Sequence, residues 1–191
     1  MKPAYLLTGQ PGTGKTSIIK QAVAGMKGKA GGFYTEEIRN QGVRQGFKLV
    51  TLDGQIAILA HINFPSPYRV SKYGVDVDSL DRVGVSALNQ ARVECDLVVI
   101  DEIGKMELFS AKFREAVLNI LNSGKRLLGT IMLSPNPYAD TIKRQPQVNL
   151  VTVTRTNHQQ VLRELGDWLN APQSSNYSIE LLPRAEERHS R

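Results

Sequence analysis

The sequence predicts an α/β fold: a mainly parallel sheet flanked by helices, with an antiparallel β-meander after the first helix. Three observations carry that expectation. The stretch "PAYLLTG" reads as a buried strand and runs through a glycine-rich turn into "TSIIKQAVAGM", which is half of a βαβ unit. Later apolar runs alternate with helical periodicity, the pattern of parallel strands whose connections cover both faces of a sheet. Between these regions, residues 30–61 switch to short strands separated by turn signals.

Taken in order, the first helix places Ile18, Ile19, Ala22, Val23 and Met26 on one face. From Ala30 to His61, "GGFYTEEIR", "VRQGFKLVTL" and "QIAILAHI" are punctuated by "NQG" and "DG", which predicts hairpin turns. The stretch "NFPSPYRVSKYG" contains Pro65 and Pro67 and has no periodicity, so a loop is expected, long enough to suggest a function. Asp78 is the expected cap of a helix whose inner face is Leu80, Val83, Ala87, Leu88 and Ala91. "DLVVI" supplies the next strand. Ser110 then caps a helix burying Phe113, Ala116, Val117, Ile120 and Leu121, and Gly124 stops it. "KRLLGTIML" and "QVNLVTVT" are further strands, and "TNHQ" opens the last helix as a capping box of Thr156 and Gln159. Val161, Leu162, Leu165, Trp168 and Leu169 form its core face, so Trp168 is assigned to packing. The domain is expected to span 1–170. Residues 171–191, which begin with the linker-like "APQSSNYS", are expected to be a flexible tail.

A chain of 191 residues with 41% hydrophobic and 22% charged residues is expected to form one compact domain with a sizeable core. Its one cysteine, Cys95, cannot form an internal disulfide; it fits a reducing compartment and a core position. No stretch approaches the roughly 18–20 apolar residues of a membrane span, and the apolar run near the start is too short for a signal peptide. The expectation is a cytoplasmic protein with no membrane partner. A net charge of +6 and a pI near 9.5 favour anionic partners. Nucleotides satisfy that preference. RNA is permitted by the charge but not indicated, since no basic and aromatic residues cluster. His61, His158 and His189 share no metal-ligand spacing, and nothing in the sequence sets an oligomeric state.

Residues 9–16, "GQPGTGKT", fit G-x-x-x-x-G-K-[ST], the Walker A phosphate loop, and stand between a predicted strand and a predicted helix as that loop requires. The expected nucleotide-binding residues are Gly9, Gln10, Pro11, Gly12, Thr13, Gly14, Lys15, Thr16 and Ser17. Glycines let successive backbone N–H groups point at a polyphosphate, and the helix N-terminus adds its dipole. Lys15 would bridge the outer phosphates, and Thr16 would ligate Mg²⁺ through its hydroxyl. In "DLVVIDEIGKMELF" an apolar strand ends on two adjacent acids. Asp101 would hold the Mg²⁺, as in a Walker B motif. Glu102, one residue further, could take a proton from an attacking water as general base. An ion pair with Lys105 is the blander reading of Glu102.

Lys15 and Asp101 are 86 residues apart (101 − 15). That leaves room for a strand inserted between the two site-bearing strands, and "GFYTEEIR" is a candidate. In that arrangement Glu36, Glu37 and Arg39 approach the phosphates; otherwise they form a solvated hairpin face. Lys72 and Tyr73 either contact the nucleotide or anchor a loop. Thr130 either senses the terminal phosphate or caps a strand end.

In order along the chain, "GQPGTGKT", "GGFYTEEIR", "GFKLVTLDG", "SKYGVDV", "VVIDEIGKMELF" and "LGTI" resemble the THEP1-type P-loop nucleoside-triphosphatases. The resemblance runs to about Leu169. It implies a RecA-like fold and slow hydrolysis of nucleoside triphosphates of many bases to diphosphate and phosphate. It carries over Lys15, Thr16, Asp101 and Glu102. Ser71 stands where related sequences usually have glycine, and the tail after Asn170 is additional.

Two alternatives remain at the level of sequence: a nucleoside or nucleotide kinase, which Glu102 and the lack of an arginine-rich lid motif disfavour, and a nucleotide-dependent RNA-binding module. Neither Arg39, Arg44, Arg69 nor Arg144 belongs to a recognisable arginine-finger motif. The site is therefore expected to lack one part of a fast phosphoryl-transfer centre.

Overall fold

The computed structural model describes residues 1–172; the expectations for the tail and for His189 fall outside the described residues. The strands are β1 (Ala4–Thr8), β2 (Ala30–Asn40), β3 (Val43–Thr51), β4 (Ile56–His61), β5 (Arg69–Val70), β6 (Tyr73–Val75), β7 (Leu97–Ile103), β8 (Arg126–Ile131) and β9 (Val148–Thr152). They form one sheet in the order β5-β6-β4-β3-β2-β7-β8-β1-β9. The block β2-β7-β8-β1-β9 is parallel. The meander β3, β4, β6 and β5 continues it antiparallel. This is the expected α/β P-loop architecture.

Helices α1 (Lys15–Ala24) and α6 (His158–Asn170) cover one face, burying Ile18, Ile19, Val161 and Leu165 against Tyr5, Leu7, Val99 and Leu128. On the other face, α3 (Ser86–Glu94) and α4 (Ala111–Asn122) bury Leu88, Phe113, Val117 and Ile120 against Leu6, Phe33, Val98 and Leu127. Alternation along β1 sends Leu6 to one core and its neighbours Tyr5 and Leu7 to the other. Phe113 is fully buried, 6.3 Å from the ring of Phe33. Truncating such a side chain to alanine costs about 3–5 kcal/mol. No described helix is long and apolar enough to cross a membrane.

Several local expectations are corrected. The strand between the two site-bearing strands is β8, not "GFYTEEIR": β8 pairs with β1 on one side and β7 on the other, while β2 lies beyond β7. The loop expected over 63–74 carries the short β5–β6 hairpin. Asp76, not Asp78, caps the helical segment that follows, its carboxylate accepting from the Ser79 amide at 2.9 Å and hydroxyl at 2.7 Å. The first turn, α2 (Val77–Ser79), leads into a π-helical stretch at Leu80–Val85. The wider turn shifts the helical phase, so Val85 is buried while Val83 is only half-buried.

The last helix starts on Asn157, not on a Thr156–Gln159 box. The Asn157 side chain is committed elsewhere, accepting from the Thr154 amide at 2.8 Å and donating to the Thr152 carbonyl at 2.9 Å. A short helix, α5 (Pro137–Lys143), was not anticipated; Asn136 caps it by accepting from Tyr138 and Ala139 amides. Ser110 caps α4 as expected, accepting from the Phe113 amide at 2.9 Å, and Gly124 follows its C-cap with φ +71°.

Candidate active site

The turn from β1 into α1 wraps the residues of the Walker A motif at the same end of the sheet as the last residues of β7. Gly9, Gln10, Pro11, Gly12, Gly14, Lys15, Thr16 and Ser17 line a cleft of about 810 Å³ together with Asp101, Glu102 and Thr130. Thr13 is absent from that lining; its hydroxyl turns back to donate to the Gln10 carbonyl at 2.9 Å. The Lys15 ammonium donates to the carbonyls of Gly9 (3.0 Å) and Gln10 (2.9 Å), so its charge rests on backbone dipoles rather than on a carboxylate.

The two motifs meet through one bond. The Thr16 hydroxyl donates to Asp101 Oδ1 at 2.8 Å, and the Thr35 amide donates to Oδ2 at 3.0 Å. The hydroxyl of Thr130, buried at the end of β8, donates to the Asp101 backbone carbonyl, so Thr130 ties β8 to β7. Burial pushes the Asp101 carboxyl up, against the Thr16 and Thr35 bonds that favour its charged form.

Glu102 opens onto the cleft, yet protein surrounds it closely enough to shift its acidity. Loss of solvent raises its carboxyl first and the Asp101 charge raises it further, with Lys15 opposing. Among the described residues it forms no ion pair, with Lys105 or any other cation. A Cβ on Gly104 would lie 2.8 Å from Glu102 Cγ, so a side chain there would push the Glu102 carboxylate from its present position.

The far wall comes from the β2–β3 hairpin and includes Glu37, Arg44 and Phe47. Of the hairpin charges left open by the sequence, Glu37 reaches the cleft, whereas Glu36 is turned to Lys20 (2.8 Å) and Lys48 (3.4 Å). Arg39 bonds Glu37 and the Gly42 carbonyl. Lys72 and Tyr73 do not line the cleft; Tyr73 is buried and its hydroxyl accepts from Arg44.

Sequence reasoning passed over four residues of the site. Thr35 and Glu107 lie inside "GGFYTEE" and "IDEIGKMEL", the strings that carried the family resemblance, but neither stood out chemically. Glu107 is buried beneath the cleft, its carboxyl pushed well above the ordinary range by burial and by the Glu102 charge, although its own and the Gly104 backbone N–H favour ionisation. Arg44 stood among four equivalent arginines. His158 was set aside for lack of metal spacing, yet its Nε2 lies 3.0 Å from the Thr13 carbonyl, 145 residues away. The loop glycine there is required: Gly14 has φ +81°, and a Cβ on it would meet His158 Nε2 at 2.3 Å.

Compared with known proteins, the chain matches the NTPase family model over residues 4–165. The chain belongs to the THEP1 nucleoside-triphosphatase family. It is 48% identical over 160 residues to "Nucleoside-triphosphatase THEP1" of Thermotoga sp. (strain RQ2), covering 84% of this chain and 91% of that relative. It is 36% identical over 181 residues to the "Cancer-related nucleoside-triphosphatase homolog" of Mus musculus, covering 86% and 95%. The crystal structure of THEP1 from the hyperthermophile Aquifex aeolicus superposes with a TM-score of 0.79 at 33% identity, covering 88% of this chain and 99% of that one. The THEP1 resemblance and the P-loop fold expected from the sequence are thus found, and the family is one of hydrolases.

Proposed function

We propose that the protein hydrolyses nucleoside 5′-triphosphates to diphosphate and phosphate, with Mg²⁺, slowly and with little preference for the base. The bond between Thr16 Oγ1 and Asp101 Oδ1 carries this reading, because it brings the two metal-binding halves of a P-loop site to one point with Glu102 next along the strand. A hydroxyl and a carboxylate oxygen are hard donors suited to Mg²⁺, which binds through few protein oxygens and keeps its remaining positions for water and phosphate. When bound between Thr16 and Asp101, the ion would neutralise charge on the outer phosphates.

This chain's own groups then divide the work. The loop amides and Lys15 bind the polyphosphate, Lys15 exchanging two backbone carbonyls for phosphate oxygens. Glu102 accepts a proton as the water oxygen bonds to the terminal phosphorus; the bridging P–O bond breaks and its electron pair leaves with the diphosphate. The upward shift of the Glu102 carboxyl, caused by desolvation and the Asp101 charge, makes it a better proton acceptor than an ordinary carboxylate. Broad base choice is supported by the make-up of the cleft walls: they belong to the phosphate loop, β2, the meander, and β7 and β8 with the segments that follow them, and none of residues 153–158 lines them.

The test pairs Glu102→Gln with phosphate release from ATP, GTP, CTP and UTP, with and without Mg²⁺. The variant should bind nucleotide normally while turnover falls by roughly 10²- to 10⁴-fold. Wild-type turnover in the variant removes Glu102 as base; release without Mg²⁺, or from one triphosphate only, removes the metal or the broad-specificity part.

A further inference from the structure

Among the described residues, Arg44 is the arginine that lines the cleft; Arg39, Arg69 and Arg144 do not. Arg44 pairs with Arg39 across the β2–β3 hairpin, beyond β7 on the side away from β1. It lines the same cleft as the phosphate loop, with the β7 end that bears Asp101 and Glu102 between them in strand order. Its side chain is 44% exposed and is held from three sides. Nη1 donates to Glu37 Oε1 at 2.6 Å, Nε makes a long bond of 3.3 Å to the Tyr73 hydroxyl, and the guanidinium carbon stands 5.2 Å from the Phe47 ring centroid.

The charge count at this wall matters. Glu37 is shared by two guanidiniums, with Arg39 Nε donating to its other oxygen at 2.7 Å. Two cations on one carboxylate leave a surplus positive charge facing the cleft. If Arg44 swings away, Arg39 still compensates Glu37, so the move strands no charge. Exposed ion pairs are weakly held in any case. A terminal phosphate is a stronger attractor for a planar fork than a carboxylate already occupied from the other side.

We propose that Arg44 is a catalytic residue acting in cis: with nucleotide bound, its guanidinium exchanges Glu37 Oε1 for oxygens of the terminal phosphoryl group and stabilises the charge that develops as the bridging bond breaks. The proposal rests on the reading above, that the terminal phosphate lies between Lys15 and Glu102. It gives the site the arginine that its sequence did not disclose.

The experiment uses the full chain with Mg²⁺-ATP and compares Arg44→Ala, Arg44→Lys and the exposed hairpin control Arg69→Ala. Arg44→Ala should lower kcat by roughly 10²- to 10³-fold with KM within about threefold, and Arg44→Lys should recover only part of the loss. Retained ADP affinity certifies the fold of each variant. Aluminium fluoride, a mimic of the transferring phosphoryl group, should tighten ADP binding to the wild type and to Arg69→Ala but not to Arg44→Ala. Turnover of Arg44→Ala within threefold, an intact aluminium fluoride response, or ADP affinity lost in parallel with kcat would overturn the proposal. Recovery of activity on mixing Arg44→Ala with Lys15→Ala protein would overturn the cis assignment. A dead Glu102→Gln beside an active Arg44→Ala would reject Arg44 alone; if Glu102→Gln is also active, the placement of the phosphate itself is wrong.

Discussion

On the phosphate-loop side of the cleft, polar contacts end on backbone or on buried partners. Thr16 and Thr35 hold Asp101, Thr130 holds the strand that bears it, and His158 pins the Thr13 carbonyl from the last helix. On the meander side, contacts run between exposed side chains: Arg39 and Arg44 on Glu37, Lys20 and Lys48 on Glu36. In the first set Asp101 and Thr130 are buried, where an unpaired polar group is expensive; in the second the Arg39 and Arg44 pairs on Glu37 are exposed and cheap to exchange. The contrast teaches a division of labour. On the proposed reading, the wall that binds is built before nucleotide arrives, and the wall proposed to face the terminal phosphate is made of contacts that a charged ligand can rearrange.

The largest expected effect tests the built wall. Lys15→Ala should abolish measurable turnover chiefly by weakening nucleotide binding, because a cation resting on two carbonyls is the group most directly transferable to phosphate. Since no side-chain partner is lost, the melting temperature should stay within roughly 2–4 °C, the shift expected for about 1 kcal/mol in a domain of this size. Equilibrium binding of a fluorescent nucleotide and a thermal melt check both halves. Collapse of the melt would mean that Lys15 holds the loop together, and that the loop is less prebuilt than its backbone suggests.

The two walls also differed in how far the sequence disclosed them. The Walker A residues, Asp101 and Glu102 were readable because their chemistry is local: a fixed spacing, a strand before and a helix after. The α4 face was equally clear, every expected residue from Phe113 to Leu121 being buried behind its Ser110 cap. Strand order was not readable. β2 and β8 both carry short apolar runs, and only long-range pairing shows that β8 enters between β1 and β7. Arg44 and His158 were hidden for the same reason, each gaining its place from a contact with a distant part of the chain. The π-helical stretch at Leu80–Val85 shows a third limit, since one wider turn moves the buried position from Val83 to Val85 without any signal in composition.

A smaller effect should come from His158→Ala. The variant removes one hydrogen bond to the phosphate loop and frees the space beside Gly14. One such bond contributes about 1 ± 0.5 kcal/mol, so nucleotide affinity should fall by roughly 2- to 10-fold with kcat unchanged. His158→Gln, which keeps a donor on a side chain of similar reach, should restore most of it. A drop in kcat with unchanged affinity would break the comparison by moving His158 from the binding side to the reacting side.

The smallest effect is expected from ending the chain after Pro172. The described chain leaves the body beside the start of β8, where Arg126 donates to the Leu169 carbonyl at 2.7 Å and to that of Ala171, and where the Trp168 indole donates to the Lys2 carbonyl at 2.9 Å. The cleft lies at the other ends of the parallel strands, past Thr8, Asp101 and Thr130. Keeping Ala171 and Pro172 preserves the Arg126 anchor, so the expected domain boundary near residue 170 is tested without disturbing α6. Turnover should stay within about threefold and the melting temperature within a few degrees. A loss of tenfold or more in kcat/KM would show that the removed residues reach the cleft from the opposite end of the sheet. A fall in melting temperature without loss of turnover would instead show that they complete the body, and the proposed boundary near residue 170 would have to move toward the end of the chain.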